Sequence, residues 1–330
     1  VPERDKEIGG KRRGKTRRMD LKSRIPGMLG IEYPIIQGGM IWVSDARLAA
    51  AVSEAGGLGV IGAGGMGPET VEDEIRKARE LTSRPFGVNI PILSPFAEGV
   101  FEAAARLGVP VLTTSAGNPM TFTSRAKEAG MKVVHVVSNV RMALKAQEAG
   151  VDIIVAEGYE AGGHNGFDEL TTMVLVPQVV DAVEVPVVAA GGIADARGVV
   201  AAFALGAEGV QLGTRFLAST ESPAHPRYKE LILAAGDCST VITGRAFGPV
   251  RVLRNKLAEM ILQAEREGTP PEKVQEMIGS GRSVKACLEG DLDEGSFMSG
   301  QAAGMIRELK SVREIVEGLT EGYRRIVADL

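Results

Sequence analysis

His164, one of three histidines in the 330 residues, lies in AEGYEAGGHNG (156–166), directly after the apolar run VDIIVAEG. Imidazole titrates near pH 6.5 and can hold or deliver a proton around neutrality. The glycines beside it let a ligand approach the backbone closely. His164 is therefore the candidate for proton transfer to a bound substrate. Two further stretches, AAGGIADARG with Gly191 and Gly192, and QLGTRF with Gly213 and Thr214, place glycines between an apolar run and a helix start. Backbone N–H groups at such a junction suit a phosphate. Asn89 is a carboxamide inside the apolar run FGVNIP. It reads either as a satisfied buried amide or as a hydrogen-bonding partner for a planar, amide-rich ligand. The other two histidines read as structural, His135 within KVVHVV and His225 within SPAHPRY.

Other chemistries find no support. The chain offers no metal-ligand cluster, no Ser-His-Asp order and no paired carboxylates. GGKRRGKT (9–16) matches the phosphate-loop pattern, but VPERDKEI before it and RRMDLKSR after it are solvated, where a buried strand and a helix are required. GLGVIG (57–62) matches G-x-G-x-x-G, yet its glycines straddle an apolar run instead of opening a helix, so no dinucleotide fingerprint is read. Cys238 and Cys287 fit no zinc or redox spacing. Both fall beyond the eighth apolar run, which disfavours a barrel dehydrogenase with a cysteine nucleophile.

The elements that must position these residues form a repeat. Short β-rich runs occur at PIIQG (34–38), LGVIG (58–62), FGVNI (86–90), PVLTTS (110–115), KVVHVV (132–137), DIIVAE (152–157), PVVAAGG (186–192) and GVQLG (209–213). Between them, segments such as PETVEDEIRKARELTS carry apolar residues at three- and four-residue spacing. The runs are continuously apolar instead of alternating, which calls for a parallel sheet buried on both faces. Eight such units predict a (β/α)8 TIM barrel with its site at the carboxyl ends of the strands, and phosphate at the loops after the seventh and eighth. Residues 219–305 lack that rhythm and predict a helical cap inserted before the last barrel helix. The expected organisation is a barrel of 19–218 and 306–330 around a cap of 219–305.

With 44% hydrophobic and 24% charged residues, the chain has ample material for a core. No apolar run is long enough to span a bilayer and no leader is read, so a cytoplasmic protein without a membrane partner is expected. The net charge of −4 divides into +5 over residues 1–18 and −9 over the rest. The first 18 residues read as a disordered basic extension ahead of Met19, and an acidic body gives nucleic acid little to bind.

Several blocks in order make a resemblance: IEYPIIQGGMIWVSDARLAAAVSEAGGLGVIGAGGM, RPFGVNIPILSPFAE, TTSAGNP, AEGYEAGGHNG, VPVVAAGGIADARG, GAEGVQLGTRF, AHPRYKE and EGDLDEGSFMSGQAAG. From about Met19 to the C-terminus the chain resembles the FMN-dependent enoyl-acyl-carrier-protein reductases of type II bacteria. These lie within the nitronate monooxygenase (2-nitropropane dioxygenase) superfamily. The resemblance implies an FMN-binding barrel, NAD(P)H as electron donor, a helical cap over the flavin and a homodimer. It implies flavin contacts at Gly39, Met40, Asn89, Glu157, Gly162, Gly163, Gly191, Gly192, Gln211, Gly213 and Thr214. It also implies that His164 faces the substrate side of the flavin. Asn165 departs from the pattern, standing where a small or apolar residue is expected.

The expected reaction passes hydride from NAD(P)H through FMN to the β-carbon of a trans-2-enoyl thioester on acyl carrier protein, with His164 supplying a proton or a hydrogen bond. The alternative is oxidation of alkyl nitronates with FMN and O2, with a histidine as base. A third reading is a flavin-binding barrel without turnover. Met298 and Phe297 are candidates for an apolar acyl channel, Trp42 for the channel or for packing, and Arg245, Arg251 and Arg254 for a basic patch toward an acidic carrier.

Overall fold

The computed structural model describes residues 22–330. The basic stretch 1–18 lies outside the described residues. In chain order the strands are β1 (Ile35–Gln37), β2 (Gly59–Gly62), β3 (Phe86–Pro91), β4 (Val111–Ser115), β5 (Lys132–Val137), β6 (Ile153–Glu157), β7 (Gly163–His164), β8 (Val187–Ala190), β9 (Gly209–Leu212), β10 (Thr240–Thr243) and β11 (Val250–Leu253).

Eight of them form one parallel sheet in the order β1-β9-β8-β6-β5-β4-β3-β2. A bridge between Ile36 and Leu58 joins its two ends, so the sheet closes into the (β/α)8 barrel that the sequence predicts. The eight apolar runs coincide with these eight strands. Continuous apolarity reflects burial on two sides. Ile36, Val60, Val134, Ile153, Val155 and Val188 fill the barrel interior, where Ile25 and Leu29 of the helix Ile25–Leu29 join them. Side chains of opposite parity, such as Val88, Leu112, Val133 and Ile154, pack under the outer helices.

The ring of helices ends with Val312–Asp329, opened by a reciprocal capping box between Ser311 and Glu314. It packs on the helix Ala196–Ala204, with Tyr323 edge-on to Phe203 at 5.7 Å between ring centroids. Between barrel and last helix the chain builds the helices Pro226–Leu233, Lys256–Arg266 and Pro271–Ile278. The first packs Tyr228 and Ile232 with Leu253, Ala286 and Phe297, continuous with Val43, Leu217 and Ala218, and so rests on the β1 and β9 loops; the other two pack on each other through Leu257, Ile261 and Val274.

The cap region holds one feature absent from the sequence reading, the antiparallel hairpin of β10 and β11. TVIT and VRVL are only four residues each and are joined by an irregular GRAFGP turn, so neither gives a strand periodicity of its own. Among the described residues no helix is long and apolar enough to cross a membrane.

Candidate functional site

The carboxyl ends of the barrel strands bring most of the sequence-predicted residues to one mouth. After β1 the chain turns through Gly38, Gly39 and Met40. Gln37 does not face the mouth: it is fully buried, donating to Ser44 Oγ at 2.8 Å and accepting from Val60 N at 2.9 Å. Ser44 Oγ in turn accepts from Met40 N at 2.9 Å, which pins the turn. Gly39 lies against Asn89, whose side chain a Cβ there would strike, and Gly38 lies against the side chain of Gln211. Among the described residues the carboxamides of Asn89 and Gln211 find no hydrogen-bond partner. Asn89 is nonetheless 7% exposed. Two amides held beside a glycine turn, one of them nearly buried, and both without partners, suit the edge of a flat ligand bearing its own donors and acceptors.

The ends of β8 and β9 build the second half of the mouth. Gly191 and Gly192 both adopt positive φ, +99° and +73°, a succession that favours glycine and turns backbone N–H groups outward. A Cβ on Gly191 would lie 2.9 Å from Gly158 O and from Thr172 Oγ1, so this turn also needs glycine for space. The N–H groups of Gly192 and Gly213 find no acceptor among the described residues. Gly213 precedes the short helix Thr214–Leu217, whose first amides have no intrahelical partner. The Thr214 hydroxyl is already engaged, accepting from Gly300 N at 2.9 Å. The set is a cradle of unpaired amides of the kind that holds a phosphate.

β6 ends in Glu157, half-buried, without a hydrogen bond or cationic partner, and burial pushes its carboxyl up to about 7. The loop that follows carries His164, and the cap determines where that loop goes. β7 adds to the hairpin as a third strand, with His164 opposite Val250 and Gly163 opposite Arg251. Asn165 N continues the pairing to Pro249 O at 2.8 Å. His164 remains open to solvent, yet the protein mass around it lowers its pKa by desolvation. The side-chain amide of Asn165 donates to Ala161 O at 3.1 Å, and its buried Oδ1 has no partner.

Four residues in this arrangement escaped the sequence reading. The Glu160 carboxylate accepts from Thr172 N at 2.9 Å and from Thr172 Oγ1 at 3.0 Å, fixing the loop to the start of the helix Thr172–Ala182. Ser299 and Gly300 lie directly on Gly162. Arg251 was expected on a basic patch. It is buried instead, donating to Tyr159 O at 2.9 Å and Thr240 Oγ1 at 3.1 Å, with its guanidinium 5.2 Å over the Tyr159 ring. Arg245 is paired with Glu169 and Arg254 with Glu259, so the three arginines form no free patch.

Phe297 likewise faces no channel. It is fully buried in the cap, edge-on to Tyr228 at 4.8 Å. Met298 is half-buried beside Gly163. Trp42 serves packing, lying on Gly65 and donating from Nε1 to Ser283 Oγ at 3.2 Å. Burial pushes the Cys287 thiol up to about 12, which makes it a poor nucleophile. His225 caps the helix Pro226–Leu233 by accepting from Arg227 N. No group of three or more His, Cys, Asp or Glu among the described residues is arranged to hold a metal ion.

A mouth of this form, on this barrel with this cap, has close counterparts. The family model described as nitronate monooxygenase matches residues 22–106 and 95–322. The chain belongs to the nitronate monooxygenase family. It is 34% identical over 355 residues to the probable nitronate monooxygenase of Staphylococcus saprophyticus, covering 94% of this chain and 99% of that protein. Among solved structures it is similar to FabK from Thermotoga maritima, with 47% identity, a TM-score of 0.90, and coverage of 94% of this chain and 98% of that one. The nitroalkane oxidase of Streptomyces ansochromogenes is also similar, at 29% identity and a TM-score of 0.80, covering 91% and 98%. Membership of the nitronate monooxygenase family makes the chain an oxidoreductase, and the similarity spans barrel and cap alike.

Proposed function

We propose that the chain is an FMN-dependent enoyl-acyl-carrier-protein reductase that uses NAD(P)H and acts as a homodimer. The observation that carries the proposal is the pairing of β7 with the cap hairpin, which ties the loop of His164, through Gly162 and Gly300, to Thr214 at the strand end that carries the unpartnered amide of Gly213. The resemblance to such reductases extends through the cap, and so does the likeness to FabK. The residues present fit FMN. Unpaired amides at Gly192 and Gly213, ahead of the helix Thr214–Leu217, would take its phosphate, and the amides of Asn89 and Gln211 with the Gly39–Met40 turn would take the ring edge. When bound, FMN supplies hydride acceptance from NAD(P)H and hydride donation to an enoyl β-carbon.

Saturating the double bond leaves electron density on the thioester oxygen until a proton reaches the α-carbon. We assign that proton to His164. Its loop is tied to the cap by β7 and to the barrel by Glu160, so the imidazole is held with little freedom to drift.

Oxidation of alkyl nitronates is the second reading, and desolvation of His164 favours it. A lowered pKa leaves the imidazole mostly neutral at pH 7, the form that accepts a proton. The two readings separate in one experiment. Under anaerobic conditions NADH should bleach the flavin, and crotonyl thioester should restore its colour. Failure of the thioester to reoxidise it, with oxygen consumed on adding propyl nitronate, would overturn the reductase. His164→Gln should lower turnover about 100-fold while leaving bleaching by NADH intact. Unchanged turnover would remove His164 from the mechanism.

A further inference from the structure

A crevice of about 380 Å³ is lined by none of the residues assigned above to the mouth. It opens between the loop after β4, strand β5 and the helix Val140–Glu148, and is lined by Asn118, Pro119, His135, Arg141, Met142 and Lys145. His135 has the parity of Val133 and Val137, which pack in the layer between strands and helices, so it points away from the barrel interior. It is 1% exposed. Its Nδ1 stands 2.7 Å from Thr114 Oγ1, and that hydroxyl has no other partner. In the tautomer in which that hydroxyl donates to Nδ1, the ring proton sits on Nε2, for which the described residues offer no acceptor. Burial lowers the His135 pKa to about 4, so the ring is neutral at pH 7.

The rest of the lining has the same bias. Asn118 Oδ1 is used in accepting from Met120 N, and its amide nitrogen is left as a donor. Arg141 and Lys145 stand one turn apart on the same helix, both exposed, and neither makes an ion pair. No carboxylate lines the crevice. Pro119 and Met142 supply apolar wall. The lining thus offers His135, the Asn118 amide and two cations, while its carboxamide oxygen, that of Asn118, is already engaged.

We propose that this crevice is a second binding site, for a small amphipathic anion with a carboxylate head and a short apolar tail. The anionic head is held by His135 Nε2, the Asn118 amide and the two cations, and the tail lies along Pro119 and Met142. The site is separate from the mouth and does not depend on which reaction the chain performs.

Calorimetric titration of the full-length protein with hexanoate tests it. One equivalent should bind saturably, and binding should weaken about tenfold or more in Arg141→Gln/Lys145→Gln, whose two positions are exposed and whose fold and basal activity should be unchanged. Hexanol and inorganic phosphate, each lacking one half of the ligand, should bind more weakly than hexanoate. The imidazole nitrogen resonance of His135 should shift on hexanoate addition. Absence of saturable binding, equal affinity in the double variant, or an unmoved His135 resonance would each overturn the proposal. Loss of hexanoate binding in His164→Gln would do the same, by placing the ligand in the mouth.

Discussion

Gly162→Ala is the most exacting test of how the cap holds the site. A Cβ at this position would lie 2.5 Å from Gly300 N and 2.6 Å from the Ser299 carbonyl carbon. Both are backbone atoms, so no side-chain rotation relieves the contact, and the strap 298–301 must retreat by about 1 Å to reach ordinary contact distance. Two hydrogen bonds stand in the way, Gly300 N to Thr214 Oγ1 and Gln301 N to Glu160 O, each 2.9 Å. At about 1 kcal/mol net apiece, losing both costs about 2 kcal/mol. For a chain of this size that corresponds to a fall in Tm of about 3 °C. The same movement loosens the loop that carries His164, so kcat should fall more than the affinity for flavin. The assays are thermal unfolding followed by circular dichroism, flavin titration by fluorescence, and steady-state turnover. Gly318→Ala is the control. It lies within the helix Val312–Asp329 with nothing within 4 Å of the added methyl, and should stabilise by about 0.5–1 kcal/mol. A Gly162→Ala protein that melts with wild type and turns over normally would refute the claim that this contact positions the loop.

Other perturbations read separate parts of the molecule. His135 has a folded pKa near 4 against about 6.5 unfolded, so the unfolded chain binds the extra proton between those values. Its contribution is complete above pH 6.5 and is lost as pH falls toward 4. His135→Leu should therefore flatten the acid limb of stability by about 2 kcal/mol, measured by urea unfolding at pH 7 and pH 4.5; parallel limbs would contradict the burial argument. Asn89→Ala removes a carboxamide without a protein partner, so it should weaken flavin binding about tenfold at little cost in Tm; the reverse pattern would make Asn89 structural. If His164 delivers its proton as imidazolium, turnover should fall with rising pH through a pKa below the ordinary 6.5, and His164→Gln should abolish that limb. A midpoint above 7 would point to another group, of which Glu157 is the nearest in titration.

The barrel was legible because its strands are buried on both faces, which leaves an unbroken apolar run for each of the eight. The turn at Gly191 and Gly192 was legible for a related reason: adjacent glycines at the end of an apolar run mark a tight turn, and both adopt positive φ there. The tethers of the His164 loop were not. Gly163 meets Arg251 across 88 positions of sequence, through a hairpin of four-residue strands with no periodicity to announce it. Arg251 looks like any surface cation in the sequence. Only the fold shows it buried, with its charge spread over a carbonyl, a hydroxyl and an aromatic face instead of a carboxylate.

That construction has a consequence for how the site can change. The cradle at Gly192, Gly213, Asn89 and Gln211 belongs to the barrel alone, whereas His164 is registered by a strand it shares with the cap. A shift of β11 by one residue against β10 would turn Val250 and its neighbours to the opposite face and carry β7 with them. The ligand-holding half would be untouched. Substitutions in the cap hairpin should therefore alter proton transfer and substrate choice while preserving flavin affinity, and substitutions at the strand ends should do the opposite. On the proposed function, the discrimination between an enoyl thioester and a nitronate is thus to be sought in Val250, Arg251 and residues 298–301, which touch the loop of His164, more than in the strand ends proposed to hold the flavin.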